Sequence, residues 1–178
     1  MHIRPYQPED FVAIKEITVE AFDGVSIDQA IEREFGLING NNWQWRKGRH
    51  IDADVARESE GIFVVEIDGR IVGSISTWQD KDAGIGHIPN ITFVPELRGK
   101  GLGRKLIEFA LEHFRKSGLT HVRIETLAHN EVGDHLYRSL GFREVASQIH
   151  FAADLNDCKT ASENRSENSD SSQSEPGR

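Results

Sequence analysis

The stretch LRGKGLGRKL, residues 97–106, constrains this chain more than any other part of its sequence. It places three glycines and four cationic side chains in ten positions, directly before an apolar pattern of helical period. The first backbone amides of a helix have no partner within it, and the helix dipole adds positive charge there. Because glycine lets a ligand approach those amides, the stretch predicts a helix start that binds phosphate or pyrophosphate.

Two common phosphate-binding motifs do not fit this stretch. A P-loop ends in Gly-Lys followed by Ser or Thr, and no such hydroxyl follows here. The dinucleotide fingerprint has the spacing G-x-G-x-x-G, whereas Gly99, Gly101 and Gly103 follow G-x-G-x-G. A tight strand-to-helix turn is the structural alternative, so the stretch alone leaves its ligand open.

Length and charge limit the classes of function. A chain of 178 residues favours one domain, and a net charge of -8 disfavours nucleic-acid binding. The single cysteine, Cys158, cannot form an internal disulfide, which fits a reducing compartment. No apolar run is long enough to span a membrane, and the N-terminus lacks the apolar stretch of a signal peptide. We therefore expect a cytoplasmic protein with no membrane and no nucleic-acid partner.

Periodicity and turn signals predict alternating helices and strands. Helices are predicted at 8–22, 26–37, 43–59, 101–117 and 130–140, and strands at 2–6, 62–67, 70–78, 87–94, 121–127 and 142–152. Asp68-Gly69 predicts a hairpin, and the crossover through 101–117 predicts a parallel, right-handed strand pair. The expected fold class is α/β, with a mixed, mostly antiparallel central sheet flanked by helices. The domain should cover residues 1–154, followed by a disordered polar tail at 155–178.

Two segments together resemble the motifs of the GCN5-related N-acetyltransferase (GNAT) family. The segment VPELRGKGLG is similar to its acetyl-CoA signature, and NEVGDHLYRSLGF is similar to its second motif. The order and spacing of the two segments also resemble the family's. The resemblance implies the GNAT fold, with the parallel strand pair at the cofactor site. It further implies direct transfer of an acetyl group from acetyl-CoA to a primary amine in a ternary complex.

The resemblance also implies roles for particular residues. The coenzyme A pyrophosphate would be held by the glycine-rich turn, formed by Arg98, Gly99, Lys100, Gly101, Leu102, Gly103 and Arg104. The pantetheine arm would pair with the backbone of Ile91, Thr92 and Phe93. Asn130 would hydrogen-bond the cofactor, and Tyr137 would protonate the leaving thiolate. No metal is expected.

The general base is open among three routes. An amine with a pKa near ~10.4 must lose a proton before it can attack. Glu125 is the first candidate, because its spacing from Asn130 and Tyr137 resembles the ribosomal-protein N-terminal acetyltransferases. His87 is the second, and a water-mediated path is the third. Asn90 cannot act as a base and could only position a water or the acceptor.

The segment WQWRKGRHIDADVARE is expected to form one wall of the acceptor site, as its position in the family implies. Trp43 and Trp45 could stack on an acceptor. Arg46, Lys47 and Arg49 could bind an acidic group of that acceptor. The alternative is an amphipathic helix with solvated charges. The acceptor itself is left open, as a small-molecule or peptide amine.

The end of the domain departs from the family pattern, in which two strands often follow the second motif. Only one strand is predicted here, so a sheet edge would be exposed, and a homodimer could cover it. Two alternative functions also stay open. One is a non-catalytic acyl-CoA sensor on the same fold, and the other is an acyltransferase that uses a different acyl-CoA.

Overall fold

Five strands form one sheet in the order β1-β2-β3-β4-β5 in this computed structural model, which describes residues 1–158. The strands are β1 (His2–Pro5), β2 (Ile62–Ile67), β3 (Arg70–Asp80), β4 (Ile85–Phe93) and β5 (His121–Ile124). The first three pairs of neighbours are antiparallel, whereas β4 and β5 are parallel. The predicted fold class, a mostly antiparallel sheet with one parallel pair, is confirmed.

Within residues 1–158, five helices flank the sheet. They are α1 (Phe11–Ala21), α2 (Ile27–Phe35), α3 (Trp43–Glu58), α4 (Leu102–Lys116) and α5 (Glu131–Ser139). A turn of 3-10 helix, Pro8–Asp10, precedes α1. Each predicted helix is confirmed, with ends that differ by at most a few residues. For example, α2 stops at Gly36, whose φ of 73° breaks the helix two residues before the predicted end.

Helices pack on both faces of the sheet, and the side chains of β2 contact helices on each face. Ile62 and Val64 join a cluster with Ile14 of α1 and Ile51 of α3. Phe63 and Val65 point the other way, into a larger cluster that includes Leu106, Ala110 and Phe114 of α4. Successive strand side chains alternate between faces, so β2 is buried on both. The hairpin between β2 and β3 turns at Asp68 and Gly69, which both have positive φ, as the sequence predicted.

Strand β4 contains a bulge, and this bulge positions the site described below. Trp78 of β3 pairs with His87 of β4, and Ser76 pairs with Asn90. Between these two pairs β4 has two residues where β3 has one, so β4 carries one extra residue. A bulge reverses the alternation of side chains. Ile88 before it and Phe93 after it therefore both belong to the cluster with α4.

The end of the described chain differs from the prediction. The strand predicted at 142–152 is wrong, since this segment has no regular structure and Val145 is 95% exposed. Its apolar residues do not alternate strictly, and a strand needs a neighbour for its backbone groups. The strand predicted at 121–127 ends early, at Ile124, where its pairing with β4 stops.

All five strands and helices lie in the unit formed by residues 1–147. Residues 148–158 are the described part of a second unit and hold no helix or strand. Most of the predicted tail, residues 159–178, lies outside the described residues. No helix within residues 1–158 is both long and apolar enough to cross a membrane.

Candidate active site

The glycine-rich turn leads from β4 into α4 with two glycines in left-handed backbone. Gly99 has a φ of 73° and Gly101 a φ of 75°, a region that side-chain-bearing residues rarely adopt. A Cβ atom built on either glycine would meet no other atom within 4 Å. The turn is therefore bare backbone facing open space, which is the surface an anionic ligand needs for close approach.

The start of α4 adds unpaired amides to this surface. Within residues 1–158, Lys105 is the first residue of α4 whose amide bonds back to a carbonyl, that of Gly101, at 3.4 Å. The amides before it are available, and the dipole of the helix favours an anion there. Lys100 and Lys105 are exposed beside them. The predicted pyrophosphate cradle thus has the geometry of an anion site.

The two arginines of the turn are tied to other parts of the chain. Arg98 donates through Nη2 to the carbonyl oxygen of Glu20 at 3.2 Å. Arg104 donates to the hydroxyl of Ser139 at 2.6 Å and lies 3.7 Å from a carboxylate oxygen of Glu108. The arginines therefore link the turn to α1 and α5. Of the four cations, the lysines are the better placed for a ligand.

The edge of β4 opens next to the turn. β5 pairs only with Ile85 to Ile88, so within the described chain it leaves the rest of that edge uncovered. Ile91, Thr92 and Phe93 pair with β3 on their other side. The side chain of Phe93 is buried, and that of Thr92 bonds Ser74 at 3.0 Å. These three residues can therefore offer a ligand backbone groups, as the prediction requires.

Asn130 and Tyr137 lie on α5. Asn130 caps the helix: its Oδ1 accepts from the amide of Gly133 at 3.1 Å, and its Nδ2 donates to Thr126 Oγ1 at 2.9 Å. Tyr137 is half-buried, with its ring centroid 6.0 Å from that of Phe142. Burial raises the pKa of Tyr137 above its usual value of 10.0. The phenol is therefore protonated at neutral pH and able to donate.

The two candidate bases occupy different environments. Glu125 follows β5, is exposed, and pairs with Arg123. His87 stacks on Trp78, with ring centroids 3.6 Å apart and planes 7° from parallel. Burial, with the nearby Arg123 guanidinium, lowers the pKa of His87. His87 is therefore neutral over more of the physiological range than a free histidine, a form that can accept a proton.

A cavity of about 550 Å³ lies between α3 and the bulge of β4. Its walls come mainly from α3, with Pro89 and Asn90 contributed by the strand. The α3 side chains that line it include Trp45, Arg46, Arg49, His50 and Asp54. A second cavity, of about 600 Å³, lies at the end of α5, and no residue of β4 lines it. The α3 cavity is the one that meets the open strand.

Asn90 connects the cavity to a buried lysine that the sequence did not single out for this role. Lys47 is 5% exposed, and its Nζ donates to Asn90 Oδ1 at 3.0 Å. The Nδ2 of Asn90 then donates to Asp54 Oδ2 at 2.7 Å. The ammonium of Lys47 also lies 3.5 Å from the ring centroid of Phe22. Burial lowers the pKa of Lys47 to about 8, an effect that Asp28 and Asp54 partly offset.

The other residues predicted for the acceptor wall divide into buried and open ones. Trp43 is 7% exposed and belongs to the core. Arg46 donates to two backbone carbonyls and lies near the carboxylates of Asp28 and Glu32. Trp45 is 49% exposed, and the guanidinium of Arg49 lies 5.0 Å from its ring centroid. Of the five, only Trp45 and Arg49 remain open to a ligand.

Comparison with known proteins gives this arrangement a family. Residues 25–142, most of the chain, match the profile of the Acetyltransferase (GNAT) family. The chain belongs to the GNAT acetyltransferase family. The mycothiol acetyltransferase of Cellulomonas flavigena is 33% identical over an alignment of 123 residues, which covers 59% of this chain. This chain spans only about a third (35%) of that relative's length.

Two further curated GNAT relatives are matched over more of their own length. An N-acetyltransferase of Archaeoglobus fulgidus is 30% identical, over 64% of this chain and 73% of its own. A streptothricin acetyltransferase from Escherichia coli is 32% identical, over 71% of this chain and 69% of its own.

Solved structures show the same GNAT fold. The PaiA N-acetyltransferase from Thermoplasma acidophilum, in complex with coenzyme A, aligns with a TM-score of 0.66 at 20% identity. The alignment covers 83% of this chain and 92% of that one. The ribosomal-protein-S18-alanine N-acetyltransferase from Escherichia coli aligns at 0.61 and 21% identity, covering 82% of this chain and 79% of that one.

Two features of this candidate site are indicated by the sequence. Pro89 lies inside the predicted strand 87–94, and proline within a sheet indicates an edge or a bulge. Lys47 falls between Trp43 and Ile51 at helical spacing, in a stripe that is otherwise apolar and buried. Asp54 lies seven residues after Lys47, on the same helical face.

Within residues 1–158, no group of three or more His, Cys, Asp or Glu side chains is arranged to hold a metal ion.

Proposed function

We propose that this chain is an acetyl-CoA-dependent N-acetyltransferase that acts on a primary amine by direct transfer in a ternary complex. One observation carries the proposal: the bulge at Pro89 and Asn90 is shared by the open edge of β4 and the α3 cavity. An acyl group laid along that edge would therefore face an amine held in the cavity. The glycine-rich turn at the end of the same strand suits the pyrophosphate.

The fit to coenzyme A rests on features of this chain. Gly99 and Gly101 leave space that a side chain would fill, and the amides at the start of α4 suit an anion. The backbone of residues 91–93 offers an extended edge to a pantetheine arm, as a strand offers its edge to a peptide. When bound, acetyl-CoA would supply the activated acyl group as a thioester.

The chemistry requires two proton transfers. The ammonium of the acceptor must lose a proton to a base, and Glu125, His87 or a bridging water provides the route. The neutral nitrogen then bonds to the acyl carbon as the carbon–sulfur bond breaks. Tyr137, kept protonated by burial, gives its proton to the departing sulfur and regains one from the new amide nitrogen. The net products are an N-acetyl amide, free coenzyme A and one proton.

The names of similar proteins support an amine as the acceptor, but they do not agree on one kind of acceptor. One relative is named for streptothricin, and one structural neighbour for the alanine of ribosomal protein S18. The acceptor could be a small molecule or a peptide on this comparison alone.

Titration calorimetry with acetyl-CoA tests the cofactor half of the proposal. We expect micromolar binding by the wild type and at least ~10-fold weaker binding by Gly101→Glu, because a carboxylate would face the phosphates. Gly118→Glu is the matched control. It also places a side chain at positive φ, 81°, with nothing within 4 Å, but at the opposite end of α4. Wild-type protein that does not bind acetyl-CoA would refute the proposal.

The base is tested by pH–rate profiles of Glu125→Ala and His87→Ala, measured by release of free coenzyme A. In the wild type, the rate should fall at low pH as the base becomes protonated. The base is the residue whose alanine variant no longer shows this fall. Retention of this fall in both variants would favour the water-mediated path.

A further inference from the structure

Six charged side chains, three of each sign, lie in or directly behind the walls of the α3 cavity. Arg46, Arg49 and Asp54 line the cavity, and Lys47, Asp28 and Glu32 contact lining residues from behind. Burial, together with the nearby Lys47 ammonium, lowers the pKa of His50, so this ring is mostly neutral at pH 7. The cavity is thus close to neutral overall, but its charges are separated in space.

Three of these six charges pair with one another within the wall, those of Arg46, Asp28 and Glu32. Arg46 Nε lies 3.7 Å from Asp28 Oδ1, and Arg46 Nη2 lies 3.4 Å from Glu32 Oε2. His50 Nε2 is also 3.1 Å from Asp28 Oδ2. Of the other three charges, Lys47 is buried against Asn90, which leaves the carboxylate of Asp54 and the guanidinium of Arg49 to a ligand.

Asp54 lies at the end of the cavity that is next to β4. Its Oδ2 accepts from Asn90, and Asn90 is itself held by Lys47. A lysine ammonium can only donate, so Asn90 must turn its oxygen to Lys47 and its amide to Asp54. The carboxylate is thereby fixed beside the bulge, where an amine must lie to reach an acyl group on β4. A fixed carboxylate is a partner for an ammonium.

Arg49 marks the outer end. It is exposed, and within residues 1–158 no carboxylate lies within 4.0 Å of its guanidinium. Its position over Trp45 restricts the side chain at the mouth of the cavity. Asp54 lies five positions further along the helix, which corresponds to an axial rise of about 7.5 Å. A planar guanidinium held in this way is suited to bind a carboxylate.

We propose that the acceptor is a small molecule with a primary amine at one end and a carboxylate several bonds away, with the amine at Asp54 and the carboxylate at Arg49. This inference rests on the proposed function and names its substrate class. A neutral site with separated charges matches a zwitterion. It would hold a polyamine poorly, because the second ammonium would face Arg49.

Matched acceptor pairs test the inference. We would compare ω-amino acids of increasing chain length with amino alcohols of the same length, following release of coenzyme A from acetyl-CoA. We expect the acid of the best pair to exceed its alcohol by roughly tenfold to hundredfold in kcat/KM, the usual effect of a charge-assisted hydrogen bond. Arg49→Gln should bring the ratio of kcat/KM for acid and alcohol close to one, mainly by raising KM for the acid.

Two further variants separate the two ends. Asp54→Asn should weaken both members of a pair equally, since both carry the amine. Arg115→Gln is the control for Arg49→Gln: it removes the same charge from an exposed position on α4, where Arg115 lies 3.7 Å from Glu112. It should leave the preference intact.

Equal rates for acid and alcohol, or a preference unchanged in Arg49→Gln, would overturn the inference while leaving the proposed function in place. Acetylation of polyamines in preference to every amino acid would also overturn it. Absence of acetyl-CoA binding is a separate result, seen in the calorimetry, and would refute the proposed function itself.

Discussion

Lys47 gives the sharpest quantitative prediction, because its burial has a defined dependence on pH. The pKa of its ammonium falls from 10.5 to about 8 in the folded chain, and burial is the main cause. Below pH 8 both the folded and the unfolded chain hold this proton, and the folded chain bears the cost of burying the charge. Between pH 8 and 10.5 the unfolded chain holds more protons, so stability rises with pH.

The size of the effect follows from the two pKa values. One pKa unit corresponds to about 1.4 kcal/mol, so the full difference amounts to ~3 kcal/mol. The substitution Lys47→Met keeps the volume and removes the titration. We expect the free energy of unfolding of the wild type, minus that of the variant, to increase by ~2–3 kcal/mol between pH 7 and pH 10. The lost partner of Asn90 costs the variant ~1–3 kcal/mol, but this cost does not depend on pH and cancels.

Urea unfolding of both proteins at several pH values measures this difference. Lys81→Met is the control, because Lys81 is exposed between β3 and β4 and its amine contacts water in both states. That control should track the wild type at every pH. A difference between wild type and Lys47→Met that stays constant from pH 7 to pH 10 would refute the reasoning, since Lys47 would then not titrate in this window.

Four other predictions follow from the structure. Gly73→Ala should destabilise the fold by ~1–3 kcal/mol in urea unfolding, because its Cβ would lie 2.6 Å from the ring of Phe93. Tyr137→Phe should lower kcat by ~10²–10⁴-fold and leave acetyl-CoA affinity unchanged in calorimetry. Asp10→Asn should destabilise by ~1–3 kcal/mol at pH 7, because Arg4 loses the nearer of its two carboxylate partners, at 2.7 Å, and keeps Glu66 at 3.1 Å. Since Arg4 lowers the pKa of Asp10 in the folded chain, that loss should shrink as the pH falls below ~4 and vanish only below the lowered pKa. Within residues 1–158, β5 pairs only with β4 and its other edge is open, which predicts a homodimer; a monomer at micromolar concentration by light scattering would count against it.

Local sequence signals were enough to predict most of the fold. Helix periodicity, glycine stops and the Asp68-Gly69 turn act through neighbouring residues, so the five helices and the hairpin agree with the structure. The strand predicted at 142–152 was wrong because a strand depends on a partner, and periodicity in one segment cannot supply it. The early end of β5 at Ile124 has a related cause, since it is set by the pairing with β4.

The backbone geometry of the glycine-rich turn could be predicted from the sequence, whereas the side-chain contacts of the candidate site that depend on packing could not. Gly99 and Gly101 follow one another along the chain, so their role in an anion site could be expected from the sequence. The contact of Lys47 with Asn90 joins α3 to β4 across 43 positions, and no local pattern contains it. The charges of residues 46–49 looked equivalent in sequence, and packing separates Arg46, which is paired, from Arg49, which is open.

The burial of Lys47 links the stability of this protein to its proposed chemistry. A methionine would fill the same space without the cost of desolvating a charge. The lysine instead fixes the orientation of the Asn90 side chain, because it bonds the amide oxygen and so turns the amide nitrogen toward Asp54. If this orientation serves the acceptor, Lys47→Met should weaken binding of the amine even where it does not weaken the fold. The two effects would then have opposite pH dependence: the stability difference favours the wild type as the pH rises above 8, whereas an ammonium-binding site is lost as the acceptor deprotonates.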